Sequence, residues 1–373
     1  MDKSLLFVTG TRADFGKLEP LALAARDAGY NVSFFVTGMH MMQRYGLTKI
    51  EVHRLEGIPV HEFENQNEDD PQDLVLATTI TGFSAFVNKH KPDLVIVHGD
   101  RVEALACALV CTTNYIRCAH VEGGEVSGTI DEIFRHCNTK LSSDHFVSSQ
   151  AAKKRVMALG EIPESIYVIG SPELDTHAAP SGVSMQEVRE HYDIGFDEFG
   201  IITFHPVTSE QDTIGAQASA LFDHLVDSGR NFVVILPNND PGSNDIMQVI
   251  STLPSDRFRI LPSMRFAYFS ELLKNAAAHI GNSSVGVREA PFIGLPSLDI
   301  GTRQNNRSNA KSITSCSAFD SARIDAFLAD KWGKRLPSDS GFGAGRSAAR
   351  FVEVLNAADF WSRPLQKEFR DLD

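Results

Sequence analysis

From Asp93 to His136 one pattern occurs twice: a short apolar run stops abruptly at a polar, glycine-containing cluster and a helical run follows. The runs are Asp93–Val97 and Ile116–Val121. The first cluster is His98, Gly99, Asp100 and Arg101; the second is Glu122, Gly123, Gly124 and Glu125, with Thr129, Ile130, Asp131 and Glu132 close behind. Short β-rich runs alternating with helices specify a parallel sheet with helices on its faces. In such a sheet ligands gather where strands end and the next helices begin. Carboxylates crowded beside glycines there suit a site that moves protons better than they suit a core.

The alternation extends along the chain. Up to the second of the paired runs, Leu5–Thr9, Val32–Val36 and Leu94–Val97 are predicted strands, and residues 17–28, 73–89 and 102–112 predicted helices. After them come a helix over 131–141 and strands at His145–Ser148 and Tyr167–Gly170. The acidic stretch 49–72 (FENQNEDDP within it) reads as an irregular exposed loop. The second half repeats the style. Strands are predicted at Gly200–Phe204, Phe232–Leu236, Phe258–Leu261, His279–Ile280 and Ser297–Ile300. Helices are predicted over 209–228, 245–252, 266–277, 287–292 and 346–358. Leu174–Ser184, with Pro180 and Gly182, reads as a connector. A chain of 373 residues favours two such α/β domains, with a ligand cleft between them.

With 35 Lys and Arg against 48 Asp and Glu, the net charge is −13. That disfavours nucleic acid and anionic membranes as partners, while a locally basic pocket for a small anion stays open. The apolar run of MDKSLLFVTGTR is too short for a signal peptide, and no run reaches membrane-spanning length. Five cysteines, mostly in apolar segments, predict reduced core thiols in a cytoplasmic protein. GxxxxGK[ST], HExxH, GxSxG and CxxC are absent, so P-loop, zinc-protease and serine-hydrolase chemistry lack support. Nothing calls for a metal or cofactor.

GTRADFG (Gly10–Gly16) follows the first strand where a dinucleotide fold carries GxGxxG, and it lacks that pattern. Arg12 offers a guanidinium fork suited to phosphate, or is a surface arginine. IGNSSVGVREAP puts Ser283 and Ser284 at a predicted helix start, an anion site or a simple cap. Glu289 is placed to take ribose hydroxyls, or is an exposed helix acid. His205 ends a strand and is either structural or a donor to a leaving phosphate. Arg303 and Arg307 follow the last strand and hold a base or phosphate, or form a solvated loop. Thr129 with Glu132 fits a capping box, which leaves Asp131, Arg135 and His136 unexplained on one side of the helix. His98 and His120 read equally as core hydrogen-bonders and as catalysts.

Taken together, GTRADFGKL, VHGDRVEALA, HVEGGEVSGTIDEIFRH, HPVT, IGNSSVGVRE, GTRQNNR and PLQKEF closely resemble the hydrolysing UDP-N-acetylglucosamine 2-epimerases of sialic-acid synthesis. These include the epimerase half of the animal bifunctional epimerase/kinase and its bacterial counterparts. The resemblance covers nearly the whole chain and leaves no kinase segment. It implies the GT-B architecture of two Rossmann-type, doubly wound domains: residues 1–175 for sugar and catalytic acids, 176–352 for UDP, and 353–373 returning to the first domain. It implies a UDP-sugar substrate, no cofactor, and a homodimer. It also implies roles. Asp100, Glu122, Asp131 and Glu132 would line the sugar and move protons, with Arg101 and His136 nearby. Arg12 and His205 would meet the diphosphate; Ser283, Ser284, Glu289 and Arg303 would hold phosphate, ribose and uracil. Phe15 stands where relatives often have Tyr.

The implied reaction is elimination of UDP to a 2-acetamidoglucal followed by hydration to N-acetylmannosamine. Loss of the C1–O bond acidifies the C2 hydrogen, and neighbouring carboxylates stabilise the positive charge at C1. The same chemistry on UDP-2,4-diacetamido-2,4,6-trideoxyglucose, a non-hydrolysing epimerase, a GT-B glycosyltransferase and a nucleotide-sugar sensor are the alternatives.

Overall fold

The computed structural model describes residues 3–67, 70–126, 131–237 and 242–370. The chain divides into two units: Met1–Asp175 with Gly343–Asp373, and Thr176–Phe342.

The first unit is built on a seven-stranded sheet. Its strands are β1 (Ser4–Thr9), β2 (Asn31–Val36), β3 (Val60–Glu62), β4 (Leu94–His98), β5 (Arg117–Val121), β6 (Asp144–Val147) and β7 (Ile166–Val168). Their order is β3-β2-β1-β4-β5-β6-β7, and every pairing is parallel. The order reverses between β1 and β4, the switch point at which doubly wound sheets open a ligand crevice. The strands are continuous apolar runs because both faces are covered. Leu5, Phe7, Leu94, Ile96, Ala119 and Val121 point into one core. Leu6, Val8, Val95, Val97 and Cys118 point into the other, with Cys107 and Cys111 from the Val102–Thr113 helix. Cys107, Cys111 and Cys118 are therefore buried, unoxidised thiols, and the burial raises the first two well above the usual thiol pKa.

The second unit carries β8 (Gly200–Thr203), β9 (Phe232–Ile235), β10 (Phe258–Leu261), β11 (His279–Gly281), β12 (Ser297–Ile300) and β13 (Ile313–Cys316), in the order β10-β9-β8-β11-β12-β13 and again all parallel. Gly281 has φ +135°, and a Cβ there would lie 2.1 Å from the Thr203 carbonyl oxygen, so only glycine lets β11 lie against β8 at this point.

The C-terminal segment belongs to the first unit. Phe351, Leu355 and Phe360 join its core beside Phe7 and Phe146. Arg363 donates to Asp144 at 2.6 Å, and Lys367 donates to Glu161 at 2.6 Å. Asp144 begins β6, so the tail is fastened at the strand starts, the end of the sheet opposite the acids.

Several local expectations are corrected. The first helix spans Arg12–Asp27 and starts at Arg12, not at Lys17, because Thr11 and Asp14 form a reciprocal capping box. The stretch 49–72 is not simply irregular: Lys49–Val52 is a helical turn and Val60–Glu62 adds an edge strand to β2. The connector region contains a helix at Glu173–Ala178. Ser283 does cap a helical turn, but only a 3-10 turn at Ser284–Gly286, with a four-residue helix, Glu289–Phe292, after it. Helices at Gln150–Ala158, Met185–Tyr192 and Ser321–Asp330 and strand β13 were not expected. Among the described residues no helix is long and apolar enough to cross a membrane.

Candidate active site

In the first unit the candidate side chains cluster at and just after the ends of β1, β4, β5 and β7. β5 ends at Val121 and the chain turns sharply: Glu122 adopts φ +61°, an uncommon, strained backbone conformation for a non-glycine residue. Its N–H is held by the Phe146 carbonyl at 2.9 Å. The glycines that follow are required by close packing. A Cβ on Gly123 would sit 2.9 Å from His120 Nδ1, and one on Gly124 (φ +75°) 2.4 Å from the Ala152 carbonyl oxygen. The turn thus holds Glu122 at 5% exposure in one orientation.

Glu122 is the hub of a buried polar network. Lys17 Nζ donates to its Oε2 at 2.7 Å, and His98 Nε2 lies 3.2 Å from the same oxygen. Ser171, from the loop after β7, donates to Oε1 of Glu122, and its Oγ is 2.7 Å from Oε2 of Glu173. Lys17 also reaches Glu173, at 3.6 Å.

The second cluster centres on Arg135. Its guanidinium donates to Asp100 and, more weakly at 3.4 Å, to Glu132, while also donating to the Glu125 carbonyl at 3.1 Å. His136 Nε2 lies 3.2 Å from Glu132. One buried arginine therefore ties the loop after β4, the loop after β5 and the Asp131–Leu141 helix together. Asp131 begins that helix; its side chain, the segment 127–130 and the Thr129 capping box lie outside the described residues. Glu125 accepts a hydrogen bond from Ser148 and is buried, a bracing role.

His98 and His120, open between two readings in the sequence, now separate. His98 faces Glu122. His120 Nε2 lies 2.7 Å from the Gly99 carbonyl and Nδ1 lies 3.1 Å from Thr139 Oγ1. Burial lowers its pKa to about 3, so it is a neutral brace under the Asp100 turn. Arg101 stands at the N-cap position of the Val102–Thr113 helix, where its side chain makes no capping hydrogen bond, and is exposed. Arg12 is the first residue of its helix and pairs with Glu51, Nε to Oε2 being 3.0 Å. Phe15 is buried against Phe34 and His40 in the core. Glu103, unnoticed in the sequence, lies beneath Gly10 and Gly38; burial raises its carboxyl pKa more than Arg101 lowers it.

In the second unit the loops after β8, β11 and β12 converge on Asn282. Its side chain accepts from the His205 N–H at 2.7 Å and donates to the His205 carbonyl at 2.8 Å. Arg303 and Gln304 donate to the Asn282 carbonyl at 3.3 and 2.8 Å. Arg307 donates to Gln304 at 2.8 Å. His205, Ser283, Ser284 and Arg303 are thereby gathered around one asparagine. Burial, then the Arg303 cation, lower the His205 pKa to about 3, so it is a neutral imidazole in this state. Glu289 differs from the exposed helix acid: it is buried, with His177 Nε2 at 3.0 Å from its Oε1. Among the described residues no group of three or more His, Cys, Asp or Glu side chains is placed to hold a metal.

Signals for Lys17, Ser171 and Glu173 were weak in the sequence. Lys17 is one lysine of an amphipathic helix, and Ser171 and Glu173 sit in the unremarkable GSPELD. Only the fold brings them to Glu122.

Two doubly wound parallel-sheet units, with acids at the strand ends of one and an Asn-, His- and Arg-rich loop cluster in the other, define a GT-B-like α/β protein. Residues 23–356 match the family model described as UDP-N-acetylglucosamine 2-epimerase, and the chain belongs to that family. A UDP-N-acetylglucosamine 2-epimerase of Neisseria meningitidis is 42% identical over the full length of both chains. The hydrolyzing UDP-N,N'-diacetylbacillosamine 2-epimerase of Legionella pneumophila is 29% identical over 98% of this chain and 99% of its own. In fold the chain is similar to a UDP-GlcNAc 2-epimerase structure from N. meningitidis bound to UDP-GlcNAc, with TM-score 0.80, 17% identity, and coverage of 94% of this chain and 99% of the other.

Proposed function

We propose that the protein is a hydrolysing epimerase that converts UDP-N-acetylglucosamine and water to N-acetylmannosamine and UDP, in nonulosonic (sialic) acid synthesis. The observation that carries this reading is the pair of acid clusters, one around buried Glu122 and one around buried Arg135, at adjacent strand ends. Asp100, Glu122, Asp131 and Glu132 divide the proton work, with His136 and Arg101 close to the sugar. In the second unit His205, Ser283, Ser284, Glu289 and Arg303 bind UDP; in the first, Arg12 offers a guanidinium fork suited to phosphate.

The chemistry follows from charge. The C2 hydrogen has no adjacent carbonyl and is not acidic in the ground state. As the C1–O bond to UDP breaks, its electron pair leaves with the diphosphate and positive charge builds at C1. A carboxylate then removes the C2 proton to give the glycal. Anionic neighbours favour that transition state. Water next adds to C1 with loss of a proton to a base, while an acid returns a proton to the opposite face of C2. His205, neutral, serves as an N–H donor to the leaving phosphate.

A second substrate is favoured by a specific observation: relatives from L. pneumophila and Campylobacter jejuni, the latter 30% identical over 83% of each chain, are described as hydrolyzing epimerases of diacetylbacillosamine nucleotides. Incubation with UDP-N-acetylglucosamine and with UDP-2,4-diacetamido-2,4,6-trideoxyglucose, followed by product analysis, tests the reading. Free UDP with a free manno-configured sugar supports it, and the faster substrate names the pathway. A UDP-bound epimer with no free UDP would refute hydrolysis.

A further inference from the structure

His177 holds the Glu289 carboxylate by one oxygen only. Its Nε2 lies 3.0 Å from Oε1 of Glu289, and its Nδ1 lies 2.9 Å from Ser270 Oγ. An ionised carboxylate only accepts, so Nε2 presents an N–H to Oε1. The imidazole is itself clasped. Phe266 and Ser270 stand one turn apart on the helix Phe266–Asn275 and share a face. The Phe266 ring packs on the imidazole with centroids 5.4 Å apart, and the Ser270 hydroxyl meets the far nitrogen. His177 and Glu289 are 4% and 5% exposed, and Ser270 is fully buried.

The second carboxylate oxygen is different. Among the described residues Glu289 Oε2 has no hydrogen-bond partner, yet it is not one of the polar atoms shut off from the surface. Buried polar groups are nearly always bonded. A pair that served packing alone would satisfy both oxygens; here one is tethered and the other is left for a donor from outside the chain.

We propose that His177, braced by Ser270 and Phe266, is a positioning residue that aims Glu289 Oε2 at a ribose hydroxyl and makes the site selective for ribonucleotides over deoxyribonucleotides. The inference rests on the reading that Glu289 takes the ribose of UDP. The physical reason is rotational freedom. A glutamate side chain turns about several bonds, and ordering it costs free energy whenever it occurs. With Oε1 fixed by His177, that cost is met on folding and not on binding. A ribose hydroxyl then donates to an oxygen already in place. A nucleotide lacking the hydroxyl leaves that oxygen buried and unpaired, the arrangement that discriminates most strongly against a missing hydroxyl. Without the imidazole N–H the carboxylate turns freely, and the penalty for the missing hydroxyl falls away. His177 touches no nucleotide atom and moves no proton; it acts through Glu289.

Isothermal titration of wild type, His177→Phe and Glu289→Gln with UDP, 2′-deoxyUDP and 3′-deoxyUDP, beside thermal melting, tests this. Wild type is expected to bind UDP roughly 10- to 100-fold more tightly than the analogue whose missing hydroxyl Glu289 takes. His177→Phe keeps a ring and removes the N–H. It is expected to bring that ratio to about 3-fold or less by weakening UDP, while the deoxy analogue binds within about 3-fold of its wild-type affinity. Equal weakening of all three nucleotides, which a merely structural role would produce, overturns the proposal. So does a ratio in His177→Phe that matches wild type. If His177→Phe does not fold, His177→Asn decides, since its shorter amide stops on the Ser270 side: an undiminished ratio there overturns the proposal in the same way. A wild type that does not bind UDP or does not distinguish the three nucleotides, or a Glu289→Gln variant that keeps the full ratio, would instead overturn the ribose reading on which the inference stands.

Discussion

Arg135 joins Asp100 to Glu132: its guanidinium donates to both carboxylates and to the backbone of the loop after β5. Asp100 comes from the loop after β4 and Glu132 from the Asp131–Leu141 helix, so their relative positions depend on that planar fork. Lysine carries the charge without the fork. Arg135→Lys is expected to lower kcat roughly 10- to 100-fold with melting little changed, since small misplacements of catalytic groups are costly. Steady-state kinetics beside thermal melting checks this.

The left-handed turn at Glu122 fixes the direction of its carboxylate. Glu122→Gln keeps its shape and removes its basicity, and Asp100→Asn does the same at the neighbouring strand end. Each is expected to lower kcat by about 10²-fold or more while UDP binding is retained. Isothermal titration with UDP separates the two effects, and near-normal turnover in both variants would show that these acids are not the proton carriers.

Three histidines set an acid limit on stability. Burial holds His120, His205 and His279 neutral, with pKa about 3 against an ordinary 6.5. Below pH 6.5 the unfolded chain binds protons that the folded chain refuses, so stability falls as pH falls from about 6.5 towards 3. Glu161 adds to this lower down. Held near 2 against an ordinary 4.5 by His145, Lys140 and Lys367 despite its burial, it stabilises the fold above about pH 4.5 and loses that contribution on the way to 2. Melting temperature is therefore expected to decline steadily from pH 7 to pH 5 and steeply below it. Glu161→Gln should narrow its deficit against wild type in acid.

Gly281 tests the second unit. A methyl group at this position meets the Thr203 carbonyl, and φ +135° disfavours any side chain. Gly281→Ala is expected to destabilise by roughly 3 kcal/mol or more. Denaturant unfolding measures it, and an unchanged midpoint would mean that β8 and β11 can separate.

Much of this was legible in the sequence because the chemistry lies at strand ends, where an apolar run breaks to a polar cluster. Asp100, Glu122 and His205 could be placed that way. Strand β13, ITSC, and β3, VHE, were not legible, since edge strands have little apolar signal. The first helix begins ahead of its apolar periodicity, because the Thr11–Asp14 capping box that starts it lies in a polar stretch. Lys17 meets Glu122 across 105 residues, and Ser171 meets it across 49. No local pattern encodes such partnerships; the strand order does.

The central claim is that these acids move the proton at C2 of a UDP-sugar. The most direct measurement is proton NMR of the reaction in deuterated water. The account predicts free UDP and an N-acetylmannosamine deuterated at C2, with deuterium entry lost in Glu122→Gln and Asp100→Asn. A product that keeps its original C2 hydrogen, or deuterium entry that survives in both variants, would contradict it.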